Sequence, residues 1–495
     1  MSKPGAPLSH GKKLLYGSGA FGYGSIGQTL NSFLMFFGSS VLGIPGFLMG
    51  LAIGISTIWD ATTDPFVGHF SDNTKSKVFG KRHGYILFAS FAVAITNLLI
   101  WSISPEWSTG AKFFAMLTLL LVIETFNTCY STPYQALGLD ISKNYQDRTA
   151  VQAYKTVFSF LALLVPSVLM TIFLAPTRYE TLVDSSRGYF EIAIFTSILC
   201  VVCALICFFG TYKNRTIYKG YEVSYPLSPA LTQSSARKHA GDSRSLGDKE
   251  NPSKKKSKGI VKSFFGIAKQ KNVGRLILGY AVSLAAGAFI TSLGLHVFTY
   301  TFQFTTLEIP LVMVSLIIGI IAAQPLWLWH SRKYDKAASL ITALGLIIVG
   351  MVLFSMVLAF RYSVPGSALL PLVAIVIFIC GMGTGCLYSL PISMFADCIH
   401  KEAAETGEDK TASSAGFLTF CTKISNAFIM FIVGISLDLI GFRGGEATQT
   451  VAVQNWLGWV LISGVVLAAV AAIFIYSGYT YSKSDFSSEG DKVGN

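Results

Sequence analysis

Asp60 and Asp64 stand four residues apart in Ile58-Trp-Asp60-Ala-Thr-Thr-Asp64-Pro-Phe-Val-Gly68-His-Phe-Ser-Asp72. On a helix that spacing puts both carboxylates on one face. They lie in an apolar run that begins near Ile44 and is long enough to span a bilayer. One acid inside a spanning helix costs roughly 2.5–3.5 kcal/mol on insertion scales, and two on one face repel each other. A proton, a metal cation or a basic residue on another helix has to compensate them. Oxygen donors of this kind suit a hard cation such as sodium, or a proton. The bland alternative is that Asp64 only caps or salt-bridges a helix end.

Lys423 lies mid-run in Phe420-Cys-Thr-Lys-Ile-Ser-Asn-Ala-Phe428 and carries a similar penalty unless it is paired or snorkels to an interface. Glu124, Thr128 and Ser131 follow one another at i, i+4 and i+7, with Gln135 a turn further on. They form a polar stripe on one helix face. Glu124 falls near mid-membrane by count, as a second cation or proton group or a substrate acceptor. Lys155, in Gln152-Ala-Tyr-Lys155, is another cation inside an apolar run.

The elements that position these residues are membrane spans. The chain has 495 residues, 52% of them hydrophobic and only 13% charged, about half the charged share of a soluble domain. Twelve runs reach the roughly 20 apolar residues that a spanning helix needs: 14–40, 45–70, 84–104, 112–137, 150–175, 189–211, 274–303, 309–329, 338–360, 368–394, 411–437 and 454–478. The expected fold is therefore an all-α membrane protein of two six-helix halves. The N-terminal half covers 1–212 with the cation site, and the C-terminal half covers 273–480. Between them lies a Ser-, Lys- and Gly-rich linker, 213–272, whose end at 260–269 reads as a short amphipathic surface helix. A tail, 481–495, closes the chain.

The net charge of +12 does not call for a nucleic-acid partner. The positive residues lie in loops between runs: Lys75, Lys77, Lys81 and Arg82 after the second, and Arg332, Lys333 and Lys336 after the eighth. By the positive-inside rule these loops, the linker and both termini are cytoplasmic, on a multi-pass protein of the cell membrane. Cys200, Cys203 and Cys207 sit inside an apolar run and read as packing rather than a metal cluster. The glycines of Gly17-Ser-Gly-Ala-Phe-Gly22 read as close helix packing, since no strand precedes them as a dinucleotide site requires. No signal peptide is evident at the N-terminus. No nucleophile–base pair stands out, so an enzyme is not expected.

The halves repeat. Ile44-Pro45, followed by Leu51, Ile53, Gly54 and Ile55, matches Ile309-Pro310, followed by Leu316, Ile318, Gly319 and Ile320. In that register Asp60 falls opposite Pro325 and Asp64 opposite Trp329, so only one copy carries the acids. Duplicated halves with a site between them suit a secondary transporter. Six plus six helices with a basic second loop, and Gly68-x-x-x-Asp72 followed by Gly80-Lys-Arg82, resemble the major facilitator superfamily.

Tyr16-Gly-Ser-Gly-Ala-Phe-Gly22, Trp59-Asp60-Ala-Thr-Thr-Asp64-Pro65, Pro133-Tyr134 ahead of Leu139-Asp140, Ala396-Asp397 and Lys423 fall in one order. Together they resemble the glycoside–pentoside–hexuronide:cation symporter family, melibiose-permease-like proteins, over essentially all twelve runs. The resemblance implies a coupling cation at Asp60 and Asp64, with Thr63 and Thr128 beside them. It also implies Lys423 as the charge partner facing the acids, and Lys155 where the family usually holds a sugar-binding arginine. The family's sugar-gripping acids fall on Gly24 and Ser131, and its aromatic platform on Gln135. The sugar half of the pattern is thus altered, and Tyr23, Gln28, Asn31 and Tyr134 are left as polar contacts.

The expectation is a monomeric cation:solute symporter, coupled to sodium or protons, with no other cofactor. Its partners are the bilayer, a coupling cation and a small-molecule substrate, expected first to be a sugar, glycoside or uronate. Because a mammalian relative of the family carries lysophospholipids, an amphipathic lipid is the alternative. A non-transporting membrane sensor is the rival of another class, and it would not need the paired acids and Lys423.

Overall fold

The structure, a computed structural model, describes residues 8–74, 76, 78–141, 145–179, 182, 185–212, 271–406 and 411–481. The expected amphipathic helix and the lysines at 75 and 77 lie outside the described residues. Twelve helical segments run in order: α1 His10–Phe36, α2 Gly46–Asn73, α3 His83–Trp101, α4 Thr109–Asp140, α5 Tyr145–Phe173, α6 Ser186–Thr211, α7 Lys271–His296, α8 Glu308–Ala322 with its continuation Gln324–Lys333, α9 Lys336–Phe360, α10 Gly366–Thr406, α11 Thr411–Leu439 and α12 Val451–Ser477. Side-chain oxygens of Ser9, Ser108 and Thr450 cap the first turns of α1, α4 and α12, satisfying backbone N–H groups that have no partner inside the helix.

Ten of these, α3 to α12, are long and apolar enough to cross a membrane. Sequence alone predicts twelve. α1 and α2 fall short of that hydropathy because glycines, hydroxyls, amides and, in α2, the two acids interrupt their apolar residues. They nevertheless pack as full members of the bundle, α1 against α5 and α6, and α2 against α4 and α11.

The repeat expected from sequence is present in three dimensions. In the N-terminal half α1 packs on α5 and α6, α2 on α4, and α3 on α4 and α6. In the C-terminal half α7 packs on α11 and α12, α8 on α10, and α9 on α10 and α12. Both α1 and α7 finish in a five-residue π turn, Phe37–Val41 and Val297–Thr301. Each is followed by a residue at positive φ, Gly43 at 67° and Gln303 at 55°. The copies differ where the acids fall. α2 runs unbroken past Asp60 and Asp64. α8 breaks at Ala323, two residues before Pro325. Proline lacks a donor N–H and clashes with the preceding turn.

Small residues let the helices approach. A Cβ on Gly22 would lie 2.6 Å from the Cys203 Cβ and 3.1 Å from the Cys200 Cα on α6, so glycines and cysteines alike are packing elements here. Among the described residues no cluster of His, Cys, Asp or Glu has metal-holding geometry. Gly22→Ala is expected to lower the thermal midpoint of detergent-purified protein, by a cost of about 1–3 kcal/mol for overpacking. An unchanged midpoint would show that α1 and α6 are further apart than this.

The two halves meet mainly along α2 and α11, with lesser contacts of α1 on α7 and α5 on α8. Several hydrogen bonds joining them gather at the end of the bundle away from the central linker, the far end. The Ser39 Oγ lies 2.8 Å from His296 Nε2, and the Gly445 N–H donates to the Ser40 carbonyl at 2.8 Å. At the linker end Arg82 pairs with Asp72 at 2.5 Å and Lys336 with Asp397 at 2.5 Å, each pair within its own half.

Candidate functional site

Gly46, Gly50 and Gly54 bring α2 against the backbone of α11 at Gly434, Met430 and Ala427. Two turns further toward the linker end, the same face of α2 presents Asp60 and Asp64. On α11 the matching stripe, Gly434, Met430 and Ala427, continues to Lys423. The Lys423 Nζ lies 2.6 Å from Asp60 Oδ2 and 2.6 Å from Asp64 Oδ2. Thr128, on α4, donates its hydroxyl to Asp60 Oδ1 at 2.7 Å. Trp59 donates its indole N–H to Thr125 at 2.9 Å, tying α2 to α4 beside the site. The side chains of Lys423, Asp60 and Asp64 are only 22%, 19% and 29% exposed. Their charges are therefore screened far less than a surface pair, and an ammonium occupies the position between the carboxylates.

Lys423 also faces a central cavity of about 410 Å³ between the halves. α1 contributes Gln28 and Asn31, and α11 contributes Thr422, Lys423, Asn426 and Met430. α10 supplies Thr384, Leu387 and Tyr388. The remaining wall comes from Leu163 of α5, a run of α7 between Ser283 and Thr291, and Leu316 and Ile320 of α8. The wall has a polar side built on carboxamides and hydroxyls, and an aliphatic side built on α7 and α8. It carries no carboxylate, and Tyr388 is the one aromatic residue among the lining residues.

The other sequence-predicted residues divide. Tyr23 packs against Tyr130, with centroids 5.3 Å apart, and lies within electrostatic reach of Asp60, Asp64, Lys423 and Glu124. Glu124 neighbours Asn127 and the same charges. The Thr63 hydroxyl bonds the Asp60 carbonyl of its own helix at 3.1 Å, so in this state it is a helix-surface group beside the pair. Tyr134 is fully buried away from the cavity. It stacks on Tyr16 at 4.6 Å and donates to the Tyr16 carbonyl at 2.8 Å, which makes it a packing residue between α1 and α4. Ser131 is half-buried and Gln135 is exposed, and neither borders the cavity. Lys155 is half-buried on α5, eight residues toward the linker end from Leu163, and is also outside the lining. Sequence reasoning found Lys423 but missed the rest of the C-terminal side of the cavity. Asn426 had a readable signal, an amide one turn from Lys423. Thr384 and Tyr388 had none.

The family of MFS/sugar transport proteins matches residues 15–226 and 227–483, and the chain belongs to it. Sodium-dependent lysophosphatidylcholine symporter 1 of Gallus gallus is 22% identical over 477 residues, covering 89% of this chain and 81% of its own. The symporter YjmB of Bacillus subtilis (strain 168) is 24% identical over 483 residues, covering 97% of this chain and 93% of its own. Among solved structures, a bacterial homologue of the human lysosomal transporter Spinster superposes with a TM-score of 0.64 at 12% identity, covering 97% of this chain and 99% of that one. The xylose transporter XylE from E. coli superposes with a TM-score of 0.59 at 12% identity, over 97% and 98%. The fold is the major facilitator fold, and the chain is a multi-pass membrane protein related to secondary transporters rather than enzymes.

Proposed function

We propose that this chain is a cation-coupled symporter that works by alternating access, with Asp60 and Asp64 as the carboxylates of the coupling cation. The observation that carries the reading is Lys423 Nζ at 2.6 Å from both acids across the two halves. A cation arriving between the carboxylates displaces the ammonium, and the freed lysine is already on the cavity wall. Ion binding and solute binding are thereby linked through one side chain. Thr128 adds a third oxygen, and Thr63 stands beside the pair on the same helix. An all-oxygen set favours sodium over softer metals, and the sodium dependence printed in the name of the Gallus gallus relative supports the same choice. The resemblance to melibiose-permease-like symporters rests on the same residues. Both halves of one chain line the cavity, which supports a monomer as the working unit. The basic loops support a cytoplasmic linker end. With the halves joined at the far end, the carrier described here faces inward.

For the substrate, the wall supports an amphipathic solute ahead of a sugar. A sugar site uses carboxylate acceptors and an aromatic face, whereas this cavity offers an aliphatic side and a neutral polar side around one cation. A lysophospholipid, with an anionic phosphate and an acyl chain, fits that division. A glycoside or uronate is the second reading, supported by the carboxamides of Gln28, Asn31 and Asn426. Uptake into proteoliposomes decides between them, with sodium and proton gradients imposed separately. We expect sodium-driven uptake of a labelled lysophospholipid. Uptake confined to sugars would overturn the lipid reading, and uptake indifferent to both gradients would overturn symport.

Lys155 supplies a test of substrate charge. Among the described residues it forms no ion pair, and it lies on α5 about two turns from the cavity-lining Leu163. Lys155→Gln is expected to raise KM for anionic substrates on the order of tenfold, the lower end of a charge-assisted hydrogen bond, and to leave neutral analogues unchanged. Equal effects on both would make Lys155 a packing residue.

A further inference from the structure

Asp438, near the end of α11, reaches across to the other half. Its Oδ1 accepts from the Gly46 N–H at 2.7 Å and its Oδ2 from the Phe47 N–H at 2.8 Å. These are the first two residues of α2, whose N-cap, Pro45, provides no side-chain cap. A carboxylate on the exposed N–H groups of a helix start is favourable both as a hydrogen-bond acceptor and against the helix dipole. This cap belongs to the opposite half. It closes a seam where backbone meets backbone. A Cβ on Gly46 would lie 2.6 Å from the Gly434 carbonyl oxygen, and one on Gly50 2.5 Å from that of Met430. The Gly445 N–H bonds the Ser40 carbonyl 2.8 Å away in the same seam. Around it large side chains also meet across the halves: Phe47 packs edge-on to Phe431, with centroids 5.4 Å apart, and Phe36 stacks near Tyr300 at 6.0 Å. The Asp438 carboxylate adds a directional polar contact at the rim of this closure.

We propose that Asp438 is a positioning residue of the transport cycle: its carboxylate latches the outer gate in the inward-facing state by capping α2 in trans. Outward opening separates α2 from α11 at this end and breaks both hydrogen bonds. The latch therefore biases the carrier inward, and being exposed at the rim it weakens with salt. The proposal rests on the alternating-access reading above.

The test introduces Ser40→Cys, a fully buried position in the seam, and follows its labelling from outside by a membrane-impermeant maleimide, with the parent chain as background. Asp438→Asn keeps one acceptor oxygen but loses the second hydrogen bond and the charge at the helix start, and is expected to raise the labelling rate about threefold, the range that the dipole contact and one weakened bond give. Asp438→Glu is expected to restore most of the protection. High salt should speed labelling in the chain that keeps Asp438 and leave the Asn variant unmoved. Asp438→Ser is read in the same way if the Asn variant does not insert. An Asn or Ser variant labelled at the parental rate overturns the latch. If labelling of the chain with Asp438 intact responds neither to sodium nor to Asp60→Asn, the cation-coupled alternating-access reading fails instead, independently of Asp438.

Discussion

Asp60→Asn is expected to reach the membrane and fold, yet to accumulate no solute against a gradient. The amide keeps the side chain's shape and can still accept from Thr128, which lies 2.7 Å from Asp60 Oδ1, so the α2–α4 contact survives. The charge does not. A carboxylate about 4 Å from a cation is worth ~4 kcal/mol at an effective dielectric of 20, and losing it corresponds to a fall in cation affinity on the order of a thousandfold. Lys423 keeps Asp64, also at 2.6 Å, so the empty carrier stays paired while the loaded one cannot form. Asp64→Asn should fail in the same way by the mirror route. Sodium-driven uptake in proteoliposomes and calorimetric sodium titration of the purified variants check this. Full sodium-dependent accumulation by both variants would remove the cation site from α2.

The acids and Lys423 were legible in the sequence for one physical reason. Ionised side chains inside apolar spans are costly, so each one signals a compensating partner. The resemblance to a known family then named that partner, and the structure places the two together. The twofold repeat was legible too, from Ile44-Pro45 and Ile309-Pro310 with their trailing glycines. What could not be read was anything set by helix neighbours. Tyr134 lies on the same helix as Thr128 and looked equally available. Six residues on, its ring has turned toward α1, where Tyr16 covers it. Thr384 and Tyr388 are ordinary residues in an apolar run, and only the fold brings α10 to the cavity. Asp438 follows an apolar run like any interfacial acid, and its partners are backbone N–H groups 391 and 392 positions away in sequence, which carry no side-chain signature. The break in α8 was half legible. Pro325 was visible opposite Asp60, but sequence alone left open whether the helix runs straight through it or is interrupted, as it is at Ala323 before it resumes at Gln324.

Lys423→Ala is expected to leave a carrier that binds its cation differently and no longer returns empty. The ammonium lies between two carboxylates at 2.6 Å each, so deleting it strands two acids in a weakly screened interface. Breaking a buried pair in this way typically costs about 3–5 kcal/mol. With the competing charge gone, a cation meets a bare pair of acids, and its affinity should rise, on the order of ten- to a hundredfold if only part of that cost is recovered on binding. The empty carrier has the opposite problem. Crossing without Lys423 carries two uncompensated negative charges through the closed state, against one with it. Net uptake, which needs that return step, should therefore collapse, while exchange of internal for external solute, which runs through the loaded carrier, should survive. The same substitution removes the one cation from the cavity wall, so an anionic solute should exchange with a raised KM and a neutral one with an unchanged KM. Sodium titration by calorimetry, with net uptake and exchange measured side by side in proteoliposomes, separates these effects. Cation affinity and net uptake both at wild-type levels would show that the α2–α11 ion pair plays no part in coupling.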